Sequence, residues 1–279
     1  MIYTLDHVFD SSVYLWLDHV LIEYGRGFGN YTGSLKPVSS SQGGLSSYAF
    51  PHRQLVYDYS VSGSIVASGV YVTGTFQETG ASLKIDNQRG QALFTASQTQ
   101  VSGAYSYKEV NIYETLANEQ EVLFETKFVI NPRSQPASSN YTPQDVVYPC
   151  IFIKSSAGNN KTLCFDGCAE TIIPVRLMFL ADSLFLYKAV TSILRDRKET
   201  HIPIFNASEL PFDKYYSLKA PFDYTEARNA PQAENRLAYV KDVSISDFKD
   251  KVNNSIGPRN LFGGFIDIDF QILRFPHAF

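Results

Sequence analysis

ETIIPVRLMFLADSLFLYKAVTSILRDRKETHIPIF, residues 170–205, reads as strand, polar junction, helix and strand. Residues 172–180 are a nearly continuous apolar run, broken only by Pro174 and Arg176. That length and composition suit a strand covered on both faces. Asp182 or Ser183 then caps a helix, because a short side-chain oxygen accepts from the free N–H groups of a first turn. Leu186, Ala189, Val190, Ile193 and Leu194 recur at helical spacing and give this helix an apolar face. Arg195, Arg197 and Lys198 crowd its last turn, where cations complement the helix dipole. Ile202, Pro203, Ile204 and Phe205 follow as a short strand. Such a unit is a structural centre and names no reaction.

Upstream, Asp10, Ser11 or Ser12 caps a first helix. Val13, Trp16, Leu17, Val20, Leu21 and Tyr24 fall at i, i+3, i+4, i+7, i+8 and i+11, an amphipathic face. Gly25 stands where a helix C-terminus often needs a left-handed residue. Residues 25–47 are rich in Gly and Ser, and predict a long mobile loop or arm that serves an interface or is disordered.

Residues 48–130 read as a β region. GSIVASGVYVTGTF, ASLKI, QALF, GAYSYKEVNIY and EVLFETKFVI are short strands separated by turn residues. Residues 86–90, DNQRG, form a hairpin loop with Gly90 at the left-handed position. Residues 131–145 are a polar, Pro-bearing linker. Residues 148–154 are the first strand of the second half, and residues 161–165 pair back on it as a hairpin. Residues 206–235 predict a polar surface excursion, residues 237–246 a strand, and residues 247–256 a short helix. FIDIDFQILRF, residues 265–275, alternates Ile266, Ile268, Phe270 and Ile272 against Asp267, Asp269 and Gln271, a half-exposed strand.

The expected fold class is α+β, a mixed or antiparallel sheet flanked by helices with an inserted β-rich region. Its expected parts are residues 1–47, the N-terminal helix and Gly/Ser-rich arm; residues 48–130, the insertion; and residues 131–279, an α+β domain whose core the N-terminal helix completes. A chain of 279 residues can bury such a core. Its 44% hydrophobic share rules out wholesale disorder. With a net charge of −4 and no Lys/Arg run, it lacks the basic stripe of a dedicated nucleic-acid binder. MIYTLDHVFD is acidic with no Lys or Arg, unlike a secretory signal. No apolar run reaches the roughly 18 residues of a membrane span. The expected compartment is a reducing cytosol.

The chemistry-bearing residues form no recognisable motif. Asp267 and Asp269 share one strand face; they either hold a divalent cation or form a charged, solvent-facing surface, and the missing third ligand favours the second. Cys150, Cys164 and Cys168 have neither zinc-knuckle spacing nor a fourth ligand, and read as buried free thiols. A Cys–His pair with His201 has no local signature. His7, His19, His52, His201 and His277 are scattered, and read as surface or capping side chains. GRGFGNYTG lacks the Lys-Ser/Thr of a phosphate loop. No catalytic residue, cofactor-binding residue or metal ligand is assigned, and the expectation is a protein without enzymatic activity.

YAFPHRQLVYDYSVSG, SGVYVTGTF, LKIDNQRGQALF and GAYSYKEVNIYET occur in that order over residues 48–115. They resemble structural proteins of tailed-bacteriophage virions, in which a "GVYVNG" strand precedes an "IDYxNGRVxF" hairpin and a "YxVKDFNxY" strand. Ile85, Asp86, Asn87 and residues 90–94 stand in the hairpin places, and residues 107–113 in those of the last strand. The C-terminal half is similar to the neck and tail-terminator class, with an N-terminal amphipathic helix, a "YPxIFI" strand at residues 148–153, and a long strand leading to a helix at residues 172–195. The chain is larger than the usual terminators. The resemblance implies a ring, commonly a hexamer, that closes the tail or joins it to the head–tail connector. Its partners would be like copies and other neck, connector or tail proteins, with no membrane and no sequence-specific nucleic acid. The protein would reside in the virion after assembly in the host cytoplasm. The alternative is a β-rich binding module of a fibre or baseplate, against which the single Trp, set in an apolar helix face, argues.

Overall fold

A computed structural model describes residues 5–42, 44–126, 128–130, 146–162, 169–230, 236–248 and 261–274. In chain order, α1 (Leu5–His19) continues into a π-helical turn (Val20–Tyr24). The strands β1 (Phe28–Ser34), β2 (Lys36–Gln42), β3 (Leu45–Ala49), β4 (Gly69–Val72) and β5 (Thr75–Glu78) follow. Then come β6 (Leu83–Asp86), β7 (Gln91–Phe94), β8 (Val101–Lys108) and β9 (Asn111–Glu114). After a second π-helical turn (Glu121–Glu125) come β10 (Phe128–Ile130), β11 (Val146–Tyr148), β12 (Cys150–Ser155), β13 (Asn159–Thr162) and β14 (Ala169–Ala181). The chain then forms α2 (Leu184–Arg195), β15 (His201–Pro203), α3 (Tyr224–Asn229), β16 (Leu237–Asp247) and β17 (Phe262–Arg274). The fold is mixed α+β and mostly sheet. Among the described residues no helix is long and apolar enough to cross a membrane.

The largest sheet has seven strands in the order β15-β16-β17-β14-β12-β9, with β13 also on β14. β14 sits at its centre, antiparallel to both β17 and β12. Its residues Ile173, Val175, Leu177, Phe179 and Ala181 enter the main core with α1, α2 and the β17 stripe Ile266, Ile268, Phe270 and Ile272. On the opposite face Met178 and Leu180 are buried with Phe152, Val122 and Phe248, whereas Pro174 and Arg176 meet solvent. The strand is therefore covered on both faces only over its C-terminal half. Ser183 caps α2, its Oγ accepting from Leu186 N at 3.2 Å. Val190 and Leu194 are buried beneath it.

The expected arm at residues 25–47 is instead built into sheet. β1 pairs with β8 over seven residues, and β2 and β3 join β7 and β6. Two of the Gly positions that suggested mobility serve close packing. A side chain at Gly29 would collide with Tyr107, and one at Gly33 with Tyr31. The sheets β1-β8-β4-β5 and β2-β3-β7-β6 enclose a second core of Leu35, Tyr48, Phe50, Val70, Phe94 and Tyr105, among others. The β6–β7 hairpin forms as expected. Asp86 Oδ1 accepts from Gln88 N and Arg89 N, and Gly90 takes φ +58 where a Cβ would strike the carbonyl oxygens of His52 and Arg53.

Three further expectations change, and a fourth is covered by the described residues only at its start. Residues 121–130 are not one strand, because Asn118 and Glu121 cap each other reciprocally and start a helical turn before β10. β13 pairs with β14, not with β12. Asp247 closes β16, and the rest of the helix expected at residues 247–256 lies beyond Phe248, outside the described residues. The excursion after residue 205 folds inward, with Phe222 and Tyr224 buried in the main core and Leu210, Phe212 and Leu218 packed against it. The linker at residues 131–145 also lies outside the described residues.

Candidate functional site

α1 is not merely amphipathic. From Ser12 through Ile22 every residue is buried. One side meets the sheet, where the Trp16 and Phe9 rings each stand edge-on to Phe270 at 5.8 and 5.4 Å. The other side carries Ser12, Asp18 and His19 against residues from distant parts of the chain. Ser12 Oγ accepts from Phe205 N at 2.9 Å and donates to Val8 O.

Asp18 meets Lys108, the last residue of β8, with Nζ 2.7 Å from Oδ1 and both side chains at most 2% exposed. Lys108 Nζ also lies 4.7 Å from the centre of the Tyr57 ring and donates to the Tyr14 hydroxyl at 3.5 Å. Burial raises the Asp18 carboxyl and lowers the Lys108 ammonium, and each partner opposes the other's shift. At the next residue, His19 Nδ1 stands 2.7 Å from Asp58 Oδ2. Asp58 Oδ1 accepts from Ser60 N, Ser60 Oγ and Tyr224 N at 2.7–3.0 Å. Burial pushes the Asp58 carboxyl up, but hydrogen bonds from His19, Tyr224 and Ser60 outweigh it and hold the group below its usual range. The His19 ring stacks on Tyr224 at 4.3 Å.

Ser60, His19 and Asp58 are the residue types of a nucleophilic triad, but not its geometry. A triad needs Asp on one imidazole nitrogen and Ser on the other. Here Asp58 and Ser60 both approach Nδ1, at 2.7 and 3.4 Å, and the Ser60 hydroxyl donates to Asp58. The His cannot take a proton from Ser60 in this arrangement. The cluster joins α1 to the sandwich and to the first residue of α3.

Beside this cluster opens a cleft of about 500 Å³. One wall is the α1 stripe His7, Ser11, Tyr14 and Leu15, at i, i+4, i+7 and i+8. Gln88 from the β6–β7 turn and Glu114 at the end of β9 line it, and the segment with Phe212 and Tyr216 closes it. Tyr14 links the cleft wall to Lys108 behind it. Burial pushes the Tyr14 hydroxyl well above its ordinary value, and Asp18 adds to the effect. Aromatic walls with a few polar groups suit an amphipathic guest.

The residues weighed from sequence fall elsewhere. Asp267 and Asp269 do share the outer face of β17. Arg176 grips Asp267 through two hydrogen bonds, at 2.6 and 3.1 Å, and reaches Glu119 at 2.9 Å. Among the described residues no group of three or more His, Cys, Asp and Glu is placed to hold a metal. Cys150 is a buried free thiol, raised by its burial; Cys164 and Cys168 lie outside the described residues, as does His277. His201 and His7 are exposed.

His19 and His52 correct the expectation of surface histidines, since both are buried. His52 lies flat on Tyr107 at 3.6 Å, with Nδ1 2.7 Å from the Tyr105 hydroxyl. Burial lowers its pKa from 6.5 to about 4. Between those values the unfolded chain takes a proton that the folded chain refuses, so stability falls as pH drops from about 6.5 towards 4. Urea denaturation at neutral pH and near pH ~4.5 should show a loss that His52→Gln largely removes. An equal loss in both proteins would mean that His52 titrates normally.

No signal along the chain marked Asp18, Lys108, Asp58 or Ser60. A Lys at a strand end and an Asp on a helix read as solvated charges until the two elements meet. No protein-family model matches the sequence, and no curated protein matches it.

Proposed function

We propose that the protein is a non-enzymatic structural component of a tailed-phage virion, a ring-forming neck or tail-terminator subunit that joins or closes the tail at the head–tail connector. In this reading the seven-stranded sheet with α1 and α2 is the terminator-like body, and the sandwich of β1–β8 is its insertion. The supporting strand series maps onto β4, the β6–β7 hairpin and β8–β9.

The observation that carries the reading is an apolar end of the large sheet. Leu184 and Phe185 open α2, just past the end of β14, and are 44% and 85% exposed. Phe124 is 52% exposed on the π-helical turn whose Val122 and Leu123 pack under the same end, against Met178 and Leu180. Covering the exposed part of such side chains contributes at most roughly 1.5–3 kcal/mol each, a driving force for stacking against the next protein along a tail axis.

A second reading, a binding module of a fibre or baseplate, is favoured by the cleft beside α1. Electron microscopy of the purified protein and of particles that contain it separates the two. A six-fold ring at the neck or tail end supports the first reading. A three-fold assembly at a fibre tip replaces it with the second, and the absence of the protein from any particle removes both.

A further inference from the structure

Asp18 and Lys108 are held against each other by contact more than by hydrogen bonding. Nζ stands 2.7 Å from Oδ1, in a chamber walled by the Tyr14 and Tyr57 rings, whose centres lie 5.5 and 4.7 Å from it. Neither Asp18 oxygen receives a well-aligned hydrogen bond among the described residues. The ammonium therefore touches the carboxylate off the line that a hydrogen bond needs. Asp58 makes the contrast, because its Oδ1 accepts three good bonds nearby. Two charges placed as Asp18 and Lys108 are bear the full desolvation penalty with little directional gain. Their burial favours the uncharged forms, a carboxylic acid and a free amine. A free amine is a nucleophile, and the carboxyl carbon of the acid is an electrophile within its reach.

We propose that Lys108 and Asp18 condense in the folded protein to an isopeptide bond, which ties α1 covalently to the last residue of β8. The Lys108 nitrogen attacks Cγ of the protonated Asp18. The Nζ–Cγ bond forms and one Cγ–O bond breaks. That oxygen leaves with the proton it carries and one from the nitrogen, as water, with no change of oxidation state. The Tyr14 hydroxyl accepts from Nζ at 3.5 Å and lines the cleft, which gives the water a way out. The fold holds the two groups in contact in a dry site, the entropic advantage of an intramolecular reaction. The product is a neutral amide, so both buried charges disappear. The link closes the chain between residues 18 and 108, and restricts its unfolded state as a disulfide would. It also fastens the main core, to which α1 belongs, to the core of the sandwich. The inference is independent of the ring-subunit reading.

The test is the mass of the full chain, measured under denaturing conditions on freshly purified protein and after prolonged incubation of the folded protein. The wild type is expected to be lighter than its sequence by one water. Trypsin should then release residues 1–26 joined to residues 90–127, with no cleavage after Lys108. Lys108→Arg keeps the positive charge but offers no amine, and Asp18→Ala removes the acceptor. Each variant should show its full sequence mass and release residues 1–26 and 90–108 as separate peptides. An apolar pair at both positions would restore the buried packing but not the link. A wild type of full mass after incubation overturns the proposal, as does a water lost at other residues or a joined peptide that persists in either variant. If the variants fail to fold, the mass and digest of the wild type decide alone.

Discussion

Lys108→Met is expected to destabilise the protein by about 3–5 kcal/mol, the usual effect of removing one partner from a buried ion pair. The variant leaves the Asp18 carboxyl, 2% exposed, in the interior without its cation, and the Tyr57 and Tyr14 rings lose the ammonium that lies over them. Asp18 would then fold as the protonated acid, and stability would fall as pH rises and the unfolded chain releases that proton. Lys108→Met combined with Asp18→Leu should recover much of the loss, because an apolar pair of similar volume avoids both desolvation penalties. Urea denaturation of the two single variants and the double variant measures the coupling. A loss under about 1 kcal/mol for Lys108→Met would show that water reaches the pair.

Trp16→Ala should cost about 3–5 kcal/mol through lost burial and the cavity left behind. The indole is 4% exposed, edge-on to Phe270 at 5.8 Å, and packed where α1 crosses the large sheet. The damage should spread beyond the sheet, because α1 also carries Asp18 and His19 to the sandwich and to the start of α3. A single cooperative transition at a lower denaturant concentration is therefore expected. Two separated transitions would indicate that the sandwich folds independently of the large sheet, and a loss below about 1 kcal/mol would tell against burial of the ring.

The two predictions share a cause in how the halves join. β8 ends in Lys108 within the sandwich, and three residues later β9 enters the large sheet, parallel to β12. The chain thus crosses between sheets at the point where α1 is pinned. Gln54 reinforces the crossing by donating to Ile112 O at 2.7 Å and accepting from Ile112 N at 2.8 Å. Changes at either end of this connection act on both cores.

The sequence by itself determined the elements whose signals are local. The apolar run of β14, the Ser183 cap, the spacing of α2, the alternation of β17 and the Asp86–Gly90 turn all follow from a few neighbouring side chains, and all formed. It also presented Asp267 and Asp269 on one face, since a strand's period of two holds wherever the strand lies. Tertiary structure decided the rest. Residues 28–42 became strands because β8 and β3 offered partners; their Gly and Ser content gave no such signal. The polar positions of α1 became interior because two sheets and the segment before α3 close around one helix. Asp18 finds Lys108, and His19 finds Asp58, only across that closure. Periodicity reports which side of an element is apolar, whereas the depth of a charge depends on what later packs over it. The cleft beside Tyr14 belongs to the same class: α1, the β6–β7 turn, the end of β9 and the segment with Phe212 line it, and only the packed fold brings those distant segments together.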